Sequence, residues 1–152
     1  MEFEELEAQV ESFRMERAGK QYPPGFQLFD SWTATEDDLA AVEAVLRTQL
    51  PSKYKRFMQI FGGGVFSFVE LLPARSPDGR SEDLVSVNTG TFAVPNFVSV
   101  APVGTGDWWG FVSEDGFCGE QVSFLDHETG AVQLDASDFY EFVSSKGLRA
   151  GR

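Results

Sequence analysis

The sequence predicts an α+β fold, and three observations predict it. Apolar residues recur at helical spacing through residues 1–61, short β-branched and aromatic runs fill the stretch after Gly64, and one further helical segment closes the chain. No strand–helix alternation of the βαβ kind is present, so helices and strands are segregated along the chain.

Phe3, Leu6, Val10 and Phe13 share one helical face, which predicts an amphipathic helix from residue 2 to about residue 18, ended near Gly19. Pro23, Pro24 and Gly25 then enforce a loop, with Phe26, Phe29 and Trp32 expected to tack it to the body. Thr35 is placed to cap a second helix. Glu36, Asp37 and Asp38 suit the positive end of its dipole, and Leu39, Val42, Val45, Leu46 and Leu50 form its stripe. Pro51 is expected to end that helix and to open a third, with Tyr54, Phe57, Met58 and Phe61 on one face and the glycines at 62–64 as its stop. The runs VFSFVELL, DLVSVN, NFVSVAPV, WWGFV, QVSFLD and AVQLD read as strands, the last two joined through DHETG as a hairpin. Ser137 is placed to cap a closing helix with Phe139, Phe142 and Val143 inward and Gly147 as its end.

With 152 residues, 42% of them hydrophobic and fifteen of them phenylalanine, the chain can fill one substantial core, so a single domain over 1–152 is expected. Its lone Cys118 excludes an internal disulfide, and no CxxC or Cys/His cluster offers a structural zinc site. A cytoplasmic protein is expected. The N-terminus MEFEELEAQVESF carries glutamates where a secretory signal needs a basic start, and no run approaches the roughly 20 apolar residues that span a bilayer.

The net charge is −12, and eleven acids but no lysine or arginine lie between Ser81 and Ser145. Such a field repels nucleic-acid phosphate and anionic lipid while drawing a basic protein partner inward. The same excess also serves plain solubility. Within it, Trp108 and Trp109 are adjacent and so point to opposite faces of a strand. One of them is therefore either an exposed anchor or covered by a second layer. As an anchor it would have Asp107, Glu114, Asp115 and Glu120 as charged neighbours, and these six residues are the candidate partner-binding set.

Catalytic and cofactor chemistry finds little support. The glycines at 62–64 follow a helix, whereas phosphate-cradling glycines precede one, and no Lys-Ser or Lys-Thr comes after them. His127 is the single histidine and lies in a turn between Asp126 and Glu128, where neighbouring side chains diverge, so no metal site is expected. A Cys118 nucleophile activated by His127 across strands is the one enzymatic alternative. Among the carboxylates no spacing selects an acid/base pair.

At LPSKYKRFMQIFGGGVF the pattern is familiar. Leu50, Pro51, Tyr54, Phe57, Gly62 and Gly63 resemble the N-terminal motif of the SUKH superfamily, which includes fungal cell-wall-synthesis regulators and bacterial toxin-immunity proteins. Pro102, Gly104, Gly106 and Asp107 in VAPVGTGDWWGFVSEDG are similar to that family's strand, glycine–aspartate loop and strand. VSFLDHETG matches its late hairpin and SDFYEFV its closing helix. The resemblance covers residues 33–145 and leaves the first helix and Pro-Pro loop, residues 1–32, as an extension. GGG stands where Asn-Gly-Gly is more frequent. The resemblance implies helices packed on a mainly antiparallel sheet, structural roles for the first motif, no catalytic residues and no cofactor. It also implies a protein that neutralises a cognate toxin, often a nuclease, by binding it, or a scaffold that binds endogenous signalling proteins. A basic nuclease cleft would be the electrostatic complement of the acidic charge.

Overall fold

The computed structural model describes residues 1–149. Helices α1 (Phe3–Arg17), α2 (Glu36–Leu46) and α3 (Ser52–Ile60) come first, followed by the hairpin β1 (Gly64–Phe66) and β2 (Val69–Leu71). The main sheet follows a short helix α4 (Leu84–Thr89) and contains β3 (Phe97–Pro102), β4 (Trp108–Glu114), β5 (Phe117–Cys118), β6 (Val122–Leu125) and β7 (Val132–Ala136). Helix α5 (Phe139–Val143) runs on into a π-helical turn, Ser144–Leu148. This is an α+β fold, with the sheet ordered β3-β4-β6-β7, β5 pairing β4, and every pairing antiparallel.

Local chemistry explains the helix starts. Thr35 Oγ1 accepts from the Asp38 amide at 3.0 Å while Asp38 Oδ2 accepts from the Thr35 amide at 3.0 Å, a reciprocal cap. Pro51, with φ −62°, is the residue just outside α3, and Gly62 leaves that helix at φ +82°. A side chain at Gly62 would also strike the Thr33 and Trp32 amides, 2.6 and 2.7 Å from an added Cβ. The motif residues Leu50, Pro51, Tyr54, Phe57, Gly62 and Gly63 are all buried.

Several boundaries differ from expectation. Helix α2 stops at Leu46 because Arg47 turns left-handed at φ +56°, and Gln49 then pairs with the chain at Gly116 and Cys118. Val45 is 53% exposed, outside the stripe assigned to it. VFSFVELL is two strands, broken where Ser67 adopts φ +53°. DLVSVN is α4: Asp83 Oδ1 accepts from the Ser86 amide and Ser86 Oγ from the Asp83 amide, at 2.8 and 2.9 Å. Asp138, not Ser137, caps α5, and Gly147 lies inside the π-turn. Of the loop aromatics, Phe29 packs on Phe13 and Phe66, whereas Phe26 is exposed and stacks on Tyr22.

The sheet is covered on both faces of β4. On one, Phe111 and Trp109 meet α3 and α5 through Tyr54 (ring centroids 5.1 Å) and Phe142 (5.3 Å), and α1 packs behind through Phe3 on Tyr140. On the other, Trp108 packs on Phe92 at 6.0 Å, while at the β3 edge Asn88 of α4 bonds both main-chain groups of Ser99. No described helix is long and apolar enough to cross a membrane.

Candidate partner-binding site

Strand β4 carries most of the candidate residues, and its two covers decide what they do. Trp108 is 7% exposed and Trp109 half-buried, so the adjacent tryptophans are explained by a second layer and neither stands out as a surface anchor. Asp107 and the Glu114–Asp115 pair sit at opposite ends of β4, Asp107 and Glu114 being separated by seven residue steps of about 3.3 Å, roughly 23 Å. Glu120 lies beyond β5, where its carboxylate accepts from the Ser52 and Lys53 amides (3.0 and 3.3 Å) at the amino end of α3. The six candidates therefore do not converge on one spot. Glu114 and Asp115 are exposed in a tight turn, where Asp115 adopts φ +51°.

At the other end of β4 is an arrangement that spacing could not reveal. His127 Nδ1 lies 2.6 Å from Asp107 Oδ1, and the His127 amide donates to the same oxygen at 2.9 Å. Thr105 Oγ1 donates to Asp107 Oδ2 at 2.7 Å. These bonds hold the Asp107 carboxyl down at about 2, while the carboxylate raises the His127 imidazole above its ordinary value. The ring also lies over Gly106, about 3.1 Å from where a Cβ would stand. Asp126 has a ligand-type atom within 4.8 Å of both partners, but its Oδ1 accepts the Glu128 amide at 2.8 Å. Asp107 and His127 are thus engaged with each other and Asp126 with its own turn, and the Asp107–His127 contacts latch the β6–β7 turn onto the β3–β4 loop.

A Cys118–His127 pair does not form. Cys118 is opposite Ser113, and His127 follows Leu125, which is opposite Trp108, so about five strand steps, roughly 16 Å, separate them. Burial also pushes the Cys118 thiol up, away from thiolate.

Six basic side chains (Arg14, Arg17, Lys53, Arg56, Lys146 and Arg149) lie over aromatic rings of the chain itself, 3.6 to 5.6 Å from the centroids. Lys53 also joins the N-terminal amine on buried Asp138, at 2.9 and 2.8 Å. Carboxylates of the 81–145 stretch remain at the surface at both ends of β4 and in the β6–β7 turn.

Among curated proteins the comparison finds no match. The family model for the SMI1 / KNR4 family (SUKH-1) matches residues 33–145, which spans α2 through α5 and leaves α1 outside. The buried Leu-Pro-Tyr-Phe-Gly-Gly framework, the antiparallel sheet and this match together place the chain in the SMI1 / KNR4 (SUKH-1) family.

Proposed function

We propose that this chain is a non-enzymatic immunity protein that binds and neutralises a cognate toxin domain in the cytoplasm, a nuclease by the charge argument. The observation that carries the reading is the acidic excess: residues 81–145 hold eleven carboxylates and no lysine or arginine, and Glu82, Glu114, Asp115, Glu120, Glu128 and Asp135 among them are exposed. A toxin cleft built to hold phosphates is basic, and such a surface is its electrostatic complement. Membership in a superfamily that includes toxin-immunity proteins supports the same reading. In this reading no cofactor or metal takes part and nucleic acid is not a direct ligand.

The test is affinity capture from the native host, washed at low and then high salt, followed by co-expression with the captured protein. Recovery of a basic toxin domain that elutes with salt and kills cells lacking this chain supports immunity. Capture of endogenous regulators alone, with the bait folded, sinks that reading in favour of a scaffold of the same fold.

A further inference from the structure

In the sheet order β3-β4-β6-β7 the two edge strands are treated differently. The β3 edge is closed: the Leu72 amide donates to Val100 O at 2.8 Å, and the Asn88 carboxamide satisfies the Ser99 amide and carbonyl, each at 2.8 Å. Strand β7 pairs with β6 on one side and with nothing on the other among the described residues. The Asp126 amide donates to Ala131 O at 2.9 Å, so Ala131 and, two residues on, Gln133 turn their main-chain groups toward β6. Val132 and Leu134 consequently aim their N–H and C=O groups outward.

The same two residues carry exposed apolar side chains, 46% and 58% accessible. Cross-strand register places Val132 in one row with Leu125 and Trp108, which are 1% and 7% exposed, so the layer over this face ends before β7. Edge strands are ordinarily blunted by lysine, proline or a bulge. VQLDA has neither residue, and its one bulge is at Asp135, where Leu134 and Ala136 face the consecutive residues Ser123 and Val122, so the open edge is the stretch Val132–Leu134.

We infer that the β7 edge is a docking site for an extended, basic segment of a protein partner, which adds an antiparallel strand beside Val132 and Leu134. The inference takes the partner's charge from the binding reading above and its extended shape from β7 alone. Asp126 and Glu128 lie in the turn at one end of the strand, while Asp135 near the other already holds Lys146 at 3.7 Å, so the segment would be apolar opposite Val132 and Leu134, with lysine or arginine flanking chiefly beside the turn. A second copy fits poorly. A two-fold centred on Gln133 would set Asp135 of each copy beside the other's acidic turn, in a chain of net charge −12.

The test is a titration of the 15N-labelled full chain with a nine-residue peptide: two lysines, five residues alternating valine and threonine, two lysines. Shifts at the Val132 and Leu134 amides are expected, with solvent exchange there slowed at least about tenfold. N-methylation of the peptide along its pairing edge, glutamate in place of its lysines, or the double variant Val132→Lys, Leu134→Lys should each weaken binding by about tenfold or more. Equal binding of the N-methylated peptide overturns the inference. So do shifts confined to Glu114 and Asp115, or concentration-dependent slowing of exchange without peptide, which indicates a second copy. A toxin captured equally by wild type and a folded double-lysine variant overturns the edge inference and leaves immunity standing. Peptide pairing that the variant abolishes supports the edge even where no toxin is captured, an outcome that counts against immunity alone.

Discussion

Gly110 lies at the centre of β4, and replacing it with alanine tests how the sheet is held together. A Cβ there would press on the Val98 carbonyl oxygen, 2.8 Å from Val98 C and 2.7 Å from Cε2 of Phe97. The Phe97 ring could swing away, but the Val98 main chain belongs to β3, and its retreat disturbs the Val98–Phe111 and Ser99–Gly110 register. Overpacking of a core costs about 1–3 kcal/mol, and a main-chain obstacle puts this case near 3. Alanine also restricts the unfolded chain, which offsets up to about 1 kcal/mol. The net loss is about 2 kcal/mol, a fall of roughly 4–8 °C in Tm for a domain of this size. Urea unfolding followed by tryptophan fluorescence and by far-UV circular dichroism measures it, coincident curves establishing two-state behaviour. Gly119→Ala is the control, because no atom lies within 4 Å of its added Cβ. A Gly110→Ala loss below about 1 kcal/mol, or an equal loss at Gly119, would refute the steric reasoning.

Asp138→Asn should cost about 3 kcal/mol, since it strips one partner from a buried cluster with Lys53 and the N-terminal amine. Burial raises the Asp138 carboxyl, but the N-terminal amine, the Glu141 amide and Lys53 more than offset that, so it stays below the ordinary 3.8. Its stabilisation is therefore present above about pH 4 and lost as pH falls through the lowered value, a slope that acid titration of wild type shows and the variant lacks. For the latch, an NMR titration of His127 should find the imidazole above its ordinary 6.5, and Asp107→Asn should return it toward that value. The raised His127 value makes its contribution complete below about pH 6.5 and lost as pH rises through the folded value. Asp107 contributes above about pH 4 and loses its share as pH falls through about 2. Trp108→Ala should lower stability by about 3–5 kcal/mol, because the ring is a core element, while affinity for the proposed partner, measured well below the variant's Tm, stays within about threefold.

Elements specified by neighbouring residues were legible in the sequence. Phe3, Leu6, Val10 and Phe13 settle α1 by spacing alone, Thr35 with Asp38 starts α2, Gly62 ends α3, and the DHETG turn joins β6 to β7. Each depends on contacts a few residues apart, which any chain carrying that stretch would make. The acidic excess of residues 81–145 belongs here too, since charge is a property of composition. Six residues are too few to separate a strand's period from a helix's, so α4 required the Asp83 cap and the β3 strand beneath Asn88 to declare itself. Likewise, nothing near Trp108 and Trp109 announces that Phe92 and Phe142 cover opposite faces. Only the folded chain could place His127 on Asp107 twenty positions away, Lys53 on Asp138 eighty-five away, and Leu134 on an edge left open while Asn88 closes the other. Those outcomes depend on which distant segments are brought together, because burial and strand pairing act on neighbours in space whatever their separation along the chain.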